Sequence, residues 1–313
     1  MKPTIGTFVS RVILICLTGT SFAQQAPATS APAVRMVVTA EPHKGKEVAT
    51  ITQQDVAVHE GKDRDTVTGW VPAQGENAAL ELFILLDDSA NMTLGSQLAD
   101  IKNFVNQQPS TTKVGVAYMQ NGIARIVANL TSDHQQAASA IRLPMGTRGA
   151  NASPYFSVSD LIKRWPATNA RREMLVASDG IDPYYLNADF QNPYLDTAIS
   201  DAQRAGILIS AIYTPGVGHF AHSYWMAYWG QLYLAEMADK TGGESYYIGF
   251  TGPPVAFAPF LEDMMDRLNR QYLLTFLPRP VKKAGLRPVR VTTELQNVDL
   301  VSAKQVYVTP AKE

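Results

Sequence analysis

At 313 residues, 46% hydrophobic and 18% charged, the chain has the balance of a folded globular protein, neither disordered nor fibrous. Its 27 basic and 28 acidic residues leave a net charge of −1, which argues against the strongly basic face that a nucleic-acid partner favours. The one cysteine, Cys16, falls in the opening segment, so disulfides and thiolate metal sites are excluded from everything after it.

Residues 1–23 predict a secretory signal peptide. Lys2 and Arg11 precede the apolar run Val12 to Leu17, small residues follow, and cleavage is expected after Ala23. The run is too short to span a bilayer. Ile15 is too bulky to make Cys16 a lipoprotein acylation site. The expected mature chain is exported, periplasmic or extracellular, with no transmembrane span. Residues 24–34, QQAPATSAPAV, read as a disordered spacer rich in Pro, Ala and polar residues.

Residues 35–71 alternate apolar and polar in RMVVTA, DVAVHEG and DTVTGWV, which predicts short antiparallel strands. The small and polar stretch PAQGENAA separates them from a central unit placed at 80–277. There LFILL reads as a strand buried on both faces. Leu94, Leu98, Ile101 and Val105 then share one helix face. VGVAYM, IARIVANL, REMLVAS, ILISAIYT and ESYYIGF are further strands, the later ones separated by helices. A last helix carries Phe257, Phe260, Leu261, Met264 and Leu268 on one face, a core-packing stripe. Such alternation predicts an α/β domain with a doubly wound, mostly parallel sheet and helices on both faces. After Arg270 the pattern returns to strands in QYLLTFL, RPVRVTTEL and LVSAKQVYV, and this tail, with its boundary placed at 278–313, is expected to join 35–71 in a small β module because so short an all-β piece is marginal alone. No internal repeat is present.

Sites in a doubly wound sheet form beyond the carboxyl ends of the strands. Three segments bring oxygen-bearing side chains there. Asp87, Ser89 and Asn91 follow the first central strand, Thr147 lies in PMGTRGANAS, and Asp179 follows MLVAS and precedes Gly180. Carboxylate, hydroxyl and amide oxygens, without nitrogen or sulfur, suit Mg²⁺, Mn²⁺ or Ca²⁺. Such a cation would neutralise Asp87 and Asp179 together.

In this order FILLDDSANM, GT and SDG resemble the three pieces of the metal-ion-dependent adhesion site (MIDAS) of von Willebrand factor A (VWA) domains. The family's first motif is D-x-S-x-S, with a Thr in a second loop and an Asp in a third. Position by position, Asp87, Ser89, Asn91, Thr147 and Asp179 match. Asn91 stands where the family usually has Ser; its amide oxygen can still coordinate, but the hydroxyl is lost. Asp88 falls on a variable position, receives no metal role and reads as a bystander. KGKEVATITQQDVAVHEGKDRDTVTGW, AEMADKTGGESYYI, LNRQYLLTFLP and RPVRVTTEL also resemble a bacterial group of exported VWFA-related proteins, common in acidobacteria. The resemblance therefore spans nearly all of the expected mature chain.

The resemblance implies an adhesive contact, not a catalyst. The cation keeps an open coordination position that a carboxylate from a protein or cell-envelope ligand completes. In DGIDPYYLNADFQNPY, Tyr184, Tyr185, Phe190 and Tyr194 are read as loop residues that either anchor such a partner or pack beneath their own loop. His219 and His222 lack an evident third ligand and read as loop histidines, with His219 and Trp225 as rim candidates. Tyr224, Trp225, Tyr228 and Trp229 read chiefly as packing at helix spacing. Two other readings stand beside this one. The first is a metal-free structural or assembly module with a degenerate site. The second, ranked last, is a metal-assisted hydrolase. The chain has no G-x-S-x-G, no H-E-x-x-H and no phosphate-binding glycine loop. Ser89 also replaces the second Asp that haloacid dehalogenase-type phosphotransferases need, so no enzyme activity is expected.

Overall fold

The computed structural model describes residues 32–43, 46, 50–90, 95–145, 153–182, 184–185, 191–215, 223–247 and 256–311. The signal-peptide segment, residues 24–31 of the expected spacer, Asn91, Thr147, Phe190, His219 and His222 lie outside them, while Val34, read as the last spacer residue, already belongs to a strand. Three strands open the chain: β1 (Val34–Pro42), β2 (Val56–Glu60) and β3 (Asp63–Pro72). The central unit follows as β4 (Leu80–Asp87), α1 (Gly95–Asn106), β5 (Thr112–Gln120), β6 (Ile123–Thr131), α2 (His134–Ser139), α3 (Pro154–Arg164) and β7 (Arg171–Ser178). It continues with α4 (Pro193–Ala205), β8 (Ile207–Tyr213), α5 (Tyr224–Thr241), β9 (Ser245–Tyr246) and α6 (Ala258–Asn269). Five strands close the chain: β10 (Gln271–Leu277), β11 (Gly285–Pro288), β12 (Arg290–Thr293), β13 (Val298–Ser302) and β14 (Gln305–Val308).

The central sheet has the order β6-β5-β4-β7-β8-β9. Its neighbours are parallel except β5 and β6. The exception has a local cause. Asn121 and Gly122 join the two strands with φ of 50° and 73°, the backbone of a tight primed hairpin turn. The parallel neighbours instead need long crossovers. Every residue of β4 is buried, as a strand covered on both faces must be. Phe83 and Leu85 face a layer that includes Tyr155 and Leu161 of α3, Ala198 of α4 and Leu234 of α5. Leu82, Ile84 and Leu86 face the other layer, with Leu98 and Ile101 of α1 and Leu261, Met264 and Leu268 of α6. The stripe read on the last helix is therefore core. From β4 the chain winds first to β5 and β6, then crosses to β7 on the opposite side. The topological switch point lies between the carboxyl ends of β4 and β7.

A second six-stranded sheet, β12-β2-β3-β10-β1-β13, is wholly antiparallel, and β11 and β14 form a ribbon beside it. β12 and β13, at its two ends, lie against each other, so the sheet curls around Val38, Val58, Trp70, Leu274 and Phe276. One boundary needs correction. Residues 271–277, placed with the central unit, form β10 in the middle of this flanking sheet. Leu273 pairs with Val37 on one side and Val71 on the other. A strand directly after a helix continues the central alternation by local pattern, but the hydrogen-bonding edges free to receive it belong to β1 and β3.

The flanking sheet meets the central unit at the amino ends of the central strands. Arg171, first residue of β7, donates to the Leu268 carbonyl (3.1 Å), the Ala78 carbonyl (3.1 Å) and the Gln271 side-chain oxygen. Gln271 in turn donates to Glu173 at 2.6 Å. Val37, Ala73 and Leu273 close over Leu208, near the start of β8. The flanking unit thus occupies one end of the sheet, and the carboxyl edge lies at the other.

Two buried carboxylates, Glu60 and Asp65, face the flanking core. Burial, then the Glu60 charge, pushes Asp65 up to about 6, with Arg279 offsetting part of the rise. Its folded value exceeds the unfolded one of about 3.9. Its favourable contribution is therefore complete below about pH 4 and is lost as pH rises through about 6. Asp65→Asn, which cannot ionise, should raise the unfolding temperature by roughly 2–4 °C at pH 7.5 and give no gain at pH 4, read by thermal unfolding at both pH values.

Candidate functional site

Asp87 ends β4 and is buried. Its Oδ1 accepts the Ser89 amide (2.8 Å) and the Ser89 hydroxyl (2.6 Å). Its Oδ2 accepts the Ser178 hydroxyl at 2.9 Å. Ser178 ends β7 and also accepts from the Gly180 amide (3.2 Å), so the bond joins the first and third sequence segments across the switch point. No ion pair reaches Asp87 among the described residues. Burial raises its pKa, and the bonds from Ser89 and Ser178 offset only part of that. The Ser89 amide orients the carboxylate, and the Ser89 and Ser178 hydroxyl oxygens beside it are the hard donors that suit a small hard cation. Among the described residues no three His, Cys, Asp or Glu side chains gather as a metal site. The expected donor set has only two carboxylates, so this is consistent with its composition.

Asp179 is buried just beyond β7, and its Oδ1 accepts the Ile181 amide at 2.9 Å. Gly180 follows with φ of 68°. The backbone of α5 comes directly against this turn. A Cβ on Gly180 would overlap the Gly230 carbonyl, and a Cβ on Gly230 would overlap the Asp179 carbonyl. Two facing glycines therefore fix how deeply α5 seats against the third segment.

Asp88 is not a bystander. It points to the other face, where Oδ1 accepts Arg142 Nη1 (2.6 Å) and the Met145 amide (2.9 Å). Oδ2 accepts Arg142 Nη2 (2.9 Å) and the Gln120 side chain. Desolvation would push this carboxyl up, but the bonds from Arg142, Gln120 and Met145 outweigh it and hold the pKa below the usual range. The Arg142 guanidinium lies 4.0 Å over the Tyr118 ring, and the Tyr118 hydroxyl both donates to the Arg142 carbonyl (2.6 Å) and accepts its amide (2.7 Å). The chain entering the Thr147 segment is thereby tied to the end of β4.

The exit of that segment is tied to the third. Ser153 caps α3 by accepting from the Phe156 amide (3.3 Å), with Pro154 in the first turn. It also donates to Asp182 Oδ2 at 2.9 Å. The Tyr155 hydroxyl donates to the Gly180 carbonyl at 2.7 Å. Desolvation raises the Asp182 pKa, partly offset by bonds from the Tyr184 amide and Ser153. Met145 and Ser153, the described residues on either side of the Thr147 segment, are thus bound to Asp88 and Asp182.

At the rim, Phe156 of α3 gathers aromatic rings. Its centroid is 4.5 Å from Tyr194 and 5.7 Å from Tyr184, and Tyr185 is 6.4 Å from Tyr194. Tyr185 and Tyr194 are half-buried, while Tyr184 is 51% exposed. Tyr194 is not a loop residue: it sits in the first turn of α4, where Asn192 caps its amide and Pro193 opens the helix. Of the second aromatic cluster, Trp229 packs against Tyr233 at 5.8 Å and borders the core. Tyr224 and Trp225 do not: Trp225 is 67% exposed. Ser178, Arg142, Ser153, Asp182 and Gly230 escaped the sequence reading. The Ser-Pro and Asn-Pro helix starts and the lone glycine inside an apolar helix were the available signals.

No protein-family model and no curated protein matches the chain. Among solved structures it is similar to a von Willebrand factor type A protein from Catenulispora acidiphila, at 11% identity over 92% of this chain and 76% of that one, with a TM-score of 0.43. It is also similar to the vWF domain of the type V pili tip protein Mfa5 from Porphyromonas gingivalis, at 11% identity over 61% and 95%, TM-score 0.43. A third is the manganese-loaded TRAP protein of Plasmodium vivax, at 11% identity over 75% and 96%, TM-score 0.41. Likenesses this remote carry nothing about the site, which stands on this chain's own geometry. The strand order, the hairpin edge and the two helix layers make a doubly wound α/β fold, as the sequence leads one to expect.

Gly to Ala inside an exposed helix ordinarily stabilises by about 1 kcal/mol. Gly230→Ala should have the opposite sign. Overpacking against the Asp179 backbone should cost about 2–3 kcal/mol, measured by denaturant unfolding.

Proposed function

We propose that this chain is an exported adhesion-type module that binds a protein or cell-envelope ligand through a divalent cation. Asp87, Ser89, Asn91, Thr147 and Asp179 would hold Mg²⁺, with Mn²⁺ or Ca²⁺ as alternatives. The observation that carries the reading is Asp87: a buried carboxylate at the switch point, held by hydroxyls and an amide and paired with no basic group among the described residues. Burying an ionised carboxylate without a counter-charge is expensive. A cation shared with Asp179 removes that expense. The Ser89 hydroxyl gives its proton to Asp87 Oδ1 and so turns lone pairs toward a ligand. The Asn91 amide would contribute an oxygen in place of a hydroxyl.

When bound, the cation offers a coordination position that an acidic side chain of the partner can complete. The surrounding residues favour binding over turnover, since no histidine or lysine among the described residues bonds Asp87 to move a proton. Exposed Tyr184, on the segment after Asp179, and exposed Trp225, at the start of α5, supply candidate anchors for the same partner. No described helix is long and apolar enough to cross a membrane. A metal-free assembly module is the second reading, favoured by the three hydrogen bonds that already satisfy Asp87.

Calorimetric titration of chelator-stripped protein with Mg²⁺, Mn²⁺ and Ca²⁺ decides between them. Saturable binding should stabilise the fold by about 2.7 kcal/mol at a hundredfold excess over Kd, and Asp87→Asn or Asp179→Asn should abolish both heat and stabilisation. In chelator, Asp87→Asn should unfold no earlier than the parent, because it removes a buried charge. Absence of heat and of any thermal shift in the parent leaves the metal-free module.

A further inference from the structure

The outer face of the flanking sheet carries a row of two arginines and a histidine that no described acid answers. Val56, Val58 and Glu60 of β2, Asp65 of β3 and Val291 of β12 are buried. Strand alternation therefore turns Ala57, His59, Arg64, Thr66, Arg290 and Thr292 outward. The register sets Arg290 opposite His59, and His59 opposite Arg64. The three form one row across three strands. At the usual strand spacing the two arginine stems stand roughly 10 Å apart with the imidazole between them.

Among the described residues none of the three makes an ion pair. The acids nearby are engaged or distant. Glu60 faces inward and meets Arg287 at 3.3 Å. Asp65 is buried beside it, and Asp63 pairs with Arg279 at 2.7 Å. Asp55 and Glu294 lie at the far end of the strands, and Asp55 is bonded by Thr52 at 2.6 Å. The two arginines flank the imidazole without an ion pair among the described residues, so the row adds no salt bridge to the fold that carries it.

We propose that this face binds an extended, base-free polyanion whose charges are phosphate groups. Guanidinium forks take phosphate oxygens in pairs. Thr66 and Thr292, outward in the next row, add hydroxyl donors. Two forks roughly 10 Å apart can each hold a different, non-adjacent group of one chain, which a single small anion cannot span. No Phe, Tyr or Trp stands in these rows for a nucleobase to stack on. The only apolar side chain there is Ala57, which gives nothing to insert into a bilayer. The surface belongs to the flanking unit at the amino ends of the central strands, so it works independently of the carboxyl-edge site.

The test is binding of fluorescently labelled inorganic polyphosphate to the full-length chain after export, in chelator. Affinity should fall roughly tenfold between about 50 and 200 mM salt. Arg64→Gln and Arg290→Gln should each weaken it about tenfold and reduce the salt dependence, while their unfolding temperatures equal or exceed the parent's. Asp87→Asn should bind as the parent does. Parent protein that does not bind, or a double arginine variant that binds unchanged, overturns the proposal. So does tighter binding to a sulfated glycan, polyglutamate, a single-stranded oligonucleotide or anionic lipid vesicles.

Discussion

A strand sends neighbouring side chains to opposite faces, and at the end of β4 this rule divides two aspartates. Asp87 turns toward the α3, α4 and α5 layer and takes hydroxyls from Ser89 and Ser178. Asp88 turns toward Tyr118 and takes the guanidinium of Arg142. One carboxylate has its charge matched by a fixed cation and the other does not. The matched one ties the chain before residue 146 to the end of β4, and the other stands buried without a counter-charge among the described residues. Exchange of their surroundings would invert both roles.

The organising half reaches further than its own contacts. Asp88 fixes the approach to residues 146–152, and Asp182 fixes their exit through Ser153. Asp87 meanwhile fastens β4 to β7 through Ser178. The three segments that carry the candidate site are thus joined pairwise. Gly180 and Gly230 add a fourth contact, by which α5 seats on the Asp179 turn. A site assembled from distant segments needs such supports, because each donor's position depends on a different stretch of backbone.

Much of the fold was legible. The run LFILL announced a doubly covered strand, and the stripe from Phe257 to Leu268 announced a core helix. Local signals of this kind survive because they reflect periodicity and turn chemistry. Asp87 and Ser89, read as one segment, do meet, and Asp87 reaches the end of β7 through Ser178. What was not legible depended on pairing across the chain. β10 reads as a strand wherever it is placed, and only the free edges of β1 and β3 decide its sheet. Asp88 looked idle because Arg142 stands far along the sequence. Tyr194 reads as a loop residue from its aromatic neighbours, yet Asn192 and Pro193 before it start a helix, a signal that is local.

The position of β10 also orders the making of the protein. β1 and β3 leave a gap that only β10 fills, pairing Trp70 with Leu274 and Val37 with Leu273. The whole central unit is synthesised after both sides of that gap and before the strand that fills it. The flanking sheet therefore cannot close while the chain is short, and its early strands wait with unpaired edges until α6 has been made. The central unit, whose strands and helices are contiguous in sequence, can fold first and deliver β10 from the end of its last helix.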